Sequence, residues 1–184
     1  HFTFSQFYSK RIQRLFPALF TTVALTFIAA SFILFPNDFQ RFAKSAIATT
    51  LSASNFLFWS ESGYWDVSSN SKALLHTWSL GVEEQFYLIW PALIVVIAKF
   101  SVPRVAFFSF LSAAGIVVCY WLSSVDISAA FYLLPARVFQ FSSGAVVALI
   151  LQSSQFTQSK ILEKCKEHLL ISGLILVIAS AMLF

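Results

Sequence analysis

The stretch "LLHTWSLGVEEQFYLIWPALIVVIA", Leu74 to Ala98, sets two adjacent glutamates, Glu83 and Glu84, at the mouth of a run that is otherwise apolar. If the carboxylates are accommodated, Trp78 to Ala98 supplies the roughly 20 apolar residues that a helix needs to cross about 30 Å of hydrocarbon. The rest of the chain argues that they are. Hydrophobic residues make up 58% of the sequence and charged residues 11%, with mean hydropathy +0.78. Soluble domains hold about 45–50% and about 25%, so the composition selects an integral membrane protein. The expected fold class is all-α, a polytopic transmembrane helix bundle. No Pro/Gly-rich or low-complexity linker divides it, and residues 1–184 read as part of one membrane domain, an interior piece whose N-terminal helices and C-terminal end are missing.

Working outward from Trp78–Ala98, four further spans are expected: Leu15 to Phe35, Val105 to Val125, Phe131 to Leu151 interrupted only by Arg137, and Leu169 to Phe184. Phe42 to Trp59 is long enough to cross but carries Lys44, Asn55 and several Ser and Thr. The distribution of Lys and Arg decides it, because cytoplasmic flanks hold the excess. If 42–59 is a re-entrant or interfacial element, Lys10, Arg11 and Arg14 share the cytoplasmic side with Lys99, Arg104, Lys160, Lys164 and Lys166, and the N-terminus is cytoplasmic. Backbone of that kind survives at membrane depth only where protein or a water-filled cavity covers it. The excess of basic over acidic residues thus reports orientation in the lipid bilayer, and no nucleic-acid partner is expected. Cys119 and Cys165 fall at different depths and suggest neither a disulfide framework nor a metal site.

On a helix that starts near His76, residues His76, Ser79, Glu83 and Tyr87 form one polar stripe, with Glu84 and Gln85 pointing away from it. An ionised carboxylate in hydrocarbon costs at least a few kcal/mol, so Glu83 should face a pocket, pair, or take up a proton. The plainer alternative is that both glutamates favour the positive end of the helix dipole. Arg11 and Arg14 are three apart and share a helix face, a spacing that suits a phosphate, although topology alone also asks for basic residues there. Arg137 falls about two turns into its expected span and needs a partner, for which Glu83 or Glu84 at similar depth is the natural choice. Ser142, Ser143 and Gly144 form a small-residue patch of the helix-packing kind. His76 reads either as a satisfied hydrogen bonder or as a catalytic group. A transporter or channel with a Glu83 and Arg137 path is the competing function class; no internal repeat supports it.

"LLHTWSLGVEEQFYLIWP" resembles the signature segment of the acyltransferase family 3 membrane proteins, the O-antigen acetylase type, whose usual form is close to HTWSLSVEEQFYLIWP. "FYSKRIQRLFPALF", "NFLFWSESGYWD" and "FYLLPARVFQFSSGAVVA" are similar to further segments of that family, in its order. The resemblance implies a bacterial inner-membrane enzyme that moves an acyl group, commonly acetyl, from acyl-CoA to a hydroxyl of an extracytoplasmic cell-envelope polysaccharide, such as the lipopolysaccharide O-antigen, or its lipid-linked precursor. A downstream hydrolase-like domain is a possible companion. By position, Arg11 and Arg14 would belong to the acyl-CoA phosphate site, Glu83 to the signature carboxylate and Arg137 to the arginine helix. The family's catalytic histidine would lie upstream of residue 1, its role is not transferred to His76, and residues 1–184 alone are expected to be inactive. Gly81 stands where serine is usual, and "VFQFSSG" lacks the acidic residue usual after the arginine.

Overall fold

The computed structural model describes residues 3–62, 72–100, 102–152, 171–175 and 178–179, and all regular structure among them is helical. The helices are α1 (Phe4–Ile33), α2 (Pro36–Thr50), α3 (Ser54–Glu61), α4 (Trp78–Lys99), α5 (Arg104–Val125), α6 (Ile127–Tyr132) and α7 (Val138–Gln152). Short 3-10 turns, Leu75–Thr77 and Leu134–Ala136, lead into α4 and α7. Among the described residues three helical stretches are long and apolar enough to cross a membrane: Phe4–Ile33, Leu75–Lys99 and Arg104–Val125.

One of the expected spans is built differently. Phe131–Leu151 is not one helix: α6 ends at Tyr132, Leu133 is extended (ψ 143°), Leu134–Ala136 forms a single 3-10 turn, and α7 has 15 residues. Pro135 explains the break, since its ring blocks the preceding turn and it has no N–H to give to an α-helical ladder. The expected span Leu169–Phe184 lies largely outside the described residues; 171–175 and 178–179 are helical. Pro17 lies inside α1, because that helix begins at Phe4 and not at Leu15.

Residues 42–59 do not form one continuous helix. Pro36 opens α2 with its preset φ, and the chain then breaks at Leu51–Ala53, where Ser52 adopts a left-handed φ of 54° before α3 begins. Helix α2 folds back on the second half of α1, where Ala30, Phe42, Ala46 and Leu74 are buried with Val23, Leu34 and Phe39 around them.

Helices α5 and α7 run antiparallel, since Ser112 Oγ meets Ser143 Oγ at 2.7 Å while Gly115 faces Phe139. A Cβ on Gly115 would lie 2.8 Å from the Phe139 backbone nitrogen, so only glycine permits this approach. Of the expected small-residue patch, Ser142 is buried and Ser143 bonds across the seam. Gly144 faces open space, and Gly115 takes the packing role assigned to it.

Candidate functional site

The first half of α4 is where the chemistry-bearing residues converge. Tyr8 donates its hydroxyl to Leu88 O at 2.9 Å and Arg11 Nε donates to Glu84 Oε1 at 3.0 Å, so α1 and α4 meet antiparallel. Arg11 Nη2 lies 4.0 Å from Glu83 Oε2, and the guanidinium carbon sits 3.2 Å from the centre of the Tyr87 ring. One half-buried arginine is therefore held by two carboxylates and an aromatic face. Cation–π contact and a charge-assisted hydrogen bond both strengthen away from bulk water.

This cluster revises the sequence reading. Glu83 and Tyr87 share the face that meets α1, and Glu84 joins them instead of pointing away. His76 and Ser79 do not join: both are exposed, and Ser79 gives its hydroxyl to His76 O at 3.3 Å. For His76 the reason is a change of pitch, because Leu75–Thr77 winds as 3-10 helix at 3.0 residues per turn and α4 continues at 3.6; Ser79 lies within α4, one turn before Glu83, and bonds back toward the turn instead. With Arg11 on the cytoplasmic side and α4 running inward, Glu83 would stand near the outer face, and that separation fails, since the two side chains approach to 4.0 Å. Arg14, one turn on, is exposed and makes no ion pair among the described residues.

The opposite face of α4 holds a cluster that the sequence reading missed. Gln85 Nε2 donates to Asn55 Oδ1 at 2.8 Å and to Ser52 O at 3.2 Å, while Asn55 Nδ2 donates to Gln85 Oε1 at 3.4 Å and to Tyr132 O at 3.2 Å. The two amides thus clasp each other and donate to carbonyls at both helix breaks, where the helical ladder gives those carbonyls no donor of its own. Thr77 adds a second polar knot, its hydroxyl 2.9 Å from Thr49 Oγ1 and its carbonyl accepting from Ser54 Oγ at 2.9 Å. Asn55, Thr49, Ser54 and Thr77 are all buried. Gly81 makes room, because a Cβ there would stand 3.0 Å from Asn55 Oδ1 and 3.2 Å from Ser52 O. The Asn and hydroxyl content of 42–59 was the available signal.

Arg137 closes the break between α6 and α7. Its Nε and Nη2 donate to Phe131 O at 3.2 and 3.0 Å, and its guanidinium carbon lies 5.3 Å from the Trp78 ring and 5.2 Å from the Phe131 ring. It is not paired with Glu83 or Glu84. Trp78 and Tyr87 are nine residues apart, about 180° around an α-helix, so the carboxylates occupy the far face of α4. Above the break, Asp126 caps α6 by accepting from Ala129 N at 2.9 Å and takes the Trp59 indole N–H at 3.0 Å. These bonds, the Ala129 N–H first, hold its carboxyl below the ordinary value of 3.8. Among the described residues no His, Cys, Asp and Glu cluster has the arrangement of a metal site.

Long apolar helices, interrupted helices whose freed carbonyls are clasped by side chains, and an ion pair between two of the long helices define a multi-pass all-α membrane protein. The chain is 32% identical over 156 residues to an uncharacterized protein of Haemophilus influenzae, a match covering 80% of this chain and 64% of that protein. It is 29% identical over 151 residues to the peptidoglycan O-acetyltransferase OatA of Listeria monocytogenes, covering 79% of this chain and 24% of the relative. It is 30% identical over 174 residues to the putative peptidoglycan O-acetyltransferase YrhL of Bacillus subtilis, covering 90% and 27% respectively. The chain therefore spans under two thirds of the first relative and about a quarter of the two O-acetyltransferases. No family model and no solved structure matches it.

Proposed function

We propose that the chain belongs to a membrane O-acyltransferase of the acyltransferase family 3 type, which moves an acyl group, acetyl first of all, from acyl-CoA to a hydroxyl of an envelope glycan. The observation that carries this reading is the Arg11–Glu84 bond, which brings the basic segment of α1 and the signature segment of α4, 73 residues apart, to one centre. The names of the relatives in Listeria and Bacillus point to a peptidoglycan hydroxyl as the first acceptor to try, ahead of an O-antigen sugar.

In this reading the acceptor oxygen attacks the thioester carbonyl, a C–O bond forms, the C–S bond breaks, and the CoA thiol departs with the proton. Arg11 is committed to Glu84 and positions the centre, so the phosphates of CoA fall to Arg14, whose planar fork is free to take two oxygens. Glu83, with its side chain 48% exposed, is the carboxylate accessible to a substrate. The general base that takes the acceptor proton is the upstream histidine implied by the family resemblance.

The test uses the full-length protein with labelled acetyl-CoA and peptidoglycan fragments. Label should move to the glycan, and Glu83→Gln should slow transfer by roughly 100-fold or more if its charge serves the reaction. Unchanged transfer removes Glu83 from the site. Arg14→Lys should keep insertion and orientation yet raise the dissociation constant for acetyl-CoA about tenfold, the worth of one charge-assisted hydrogen bond. Equal affinity in calorimetry would leave Arg14 as an orientation signal only.

A further inference from the structure

Arg137 stands at the depth of the α5 span, and among the described residues no counter-charge meets it. Phe139 packs against Gly115, ten residues before the end of α5, so the break that carries Arg137 lies about 12–15 Å along α5 from its end. Among the described residues Arg137 makes no ion pair. Its two hydrogen bonds run to a single carbonyl, which leaves Nη1 and the second Nη2 hydrogen to other partners. Trp78 and Phe131, with ring centres 4.5 Å apart, wall the guanidinium without neutralising it. A cation in such a place is costly unless an anion completes it. Capping Phe131 O alone would not require a permanent charge; an amide would do it.

We propose that Arg137, walled by Trp78 and Phe131, binds an oxyanion of the acceptor: a phosphate or carboxylate on the glycan itself or the phosphate of its lipid carrier. Its assignment to the acceptor rests on the acyltransferase reading. The body of α4 separates it from Arg11 and Arg14, so it is a second anion site and not an extension of the donor's. The exposed edge of the guanidinium offers three N–H groups in one plane, which matches two oxygens of a phosphate or carboxylate. The flanking rings offer apolar faces to the sugar or to the prenyl chain beside it.

Binding is measured on the full-length protein in phosphatidylcholine nanodiscs, by tryptophan fluorescence, with no acyl donor present. Glucose 1-phosphate and a polyprenyl phosphate are the two probes, and glucose is the neutral control. At least one phosphate probe should bind saturably, with a dissociation constant raised about tenfold in Arg137→Gln and much less in Arg137→Lys. Binding of the sugar phosphate assigns the oxyanion to the glycan; binding of the polyprenyl phosphate alone assigns it to the carrier. Three results overturn the proposal: neither probe binds, the wild type and Arg137→Gln bind equally, or free CoA displaces the probe competitively. If Arg137→Gln does not fold, Arg137→Lys and the salt dependence of wild-type binding decide, since an interaction with no ionic component does not weaken with ionic strength. Acetyl transfer is assayed separately. Intact oxyanion binding without transfer to any acceptor would sink the enzymatic reading and leave the anion site standing.

Discussion

Helices α5 and α7 meet along a plain seam, whereas α3, α4 and α6 meet at a knot, and the two regions solve the same membrane problem in opposite ways. At the seam the two packed stretches are uninterrupted helix, so small residues suffice: Gly115 admits the Phe139 backbone and Ser112 bonds Ser143. At the knot both neighbours of α4 are interrupted, and their freed carbonyls have no water to turn to. Side-chain amides must supply what the helix no longer does. The polar residues that look out of place in an apolar chain are therefore placed by the breaks, and Glu83 and Arg137 lie against opposite faces of the helix that the knot immobilises.

The strongest way to break this contrast is Asn55→Leu. It removes the donors of Asn55 to Gln85 Oε1 and to Tyr132 O while Gln85 Nε2 keeps Ser52 O, and a buried polar group deprived of its bond costs about 1–3 kcal/mol. A loss on the order of 3 kcal/mol is expected from thermal unfolding of the full-length protein in detergent. A cost no greater than that of Ser112→Ala would mean that the knot is held by apolar packing after all. Next in size is Gly115→Val at the seam. Its Cβ would meet backbone, not a flexible side chain, and overpacking of this kind costs about 1–3 kcal/mol. Because the strain is local, Gly115→Val should leave phosphate binding at Arg137 unchanged unless α7 is displaced, which a shifted affinity would reveal.

The smallest expected effect concerns pH. The Asp126 carboxyl titrates below 3.8 in the folded chain, so it contributes stability that is fully present above its unfolded value and lost as pH falls through the lower folded value. Unfolding midpoints of the wild type should fall relative to Asp126→Asn only below about pH 4, while the two curves run parallel from there to neutrality. Parallel curves over the whole range would show that the Ala129 and Trp59 bonds do not distinguish the charged carboxyl from a neutral amide.

What could be read from sequence follows the same division. The uncharged runs gave α1 and α5 directly, and the glutamate-bearing run gave α4, because hydropathy over 20 residues is a summed signal that one or two charges do not erase. Pro135 was visible in "LLPAR", yet the apolar window around it outweighed a single residue, and the span came out unbroken. The phase of His76 relative to α4 was lost to a three-residue turn that no periodicity can locate. Asn55 finds its partners 30 and 77 residues away, and neither separation is a helical repeat, so that pairing carried no local pattern to detect. The meeting of Arg11 with Glu84 was hidden for the same reason and by one more: counting positive charges sorts residues by side, and it treats an ion-paired arginine as if it were free.

The clasp at Asn55 also sets an order of events during synthesis. Its second acceptor, Tyr132 O, lies 77 residues downstream, and at about 5–20 residues per second the ribosome takes roughly 4–15 seconds to make that interval. Helices α2 and α3, at 15 and 8 residues, are shorter than the roughly 20 residues of a stable span, so during that interval the break between them has α1 and α4 for shelter and its polar side chain is only half engaged. A substitution that slows the arrival of α6 would lower the yield of inserted protein while leaving the finished protein as stable as before.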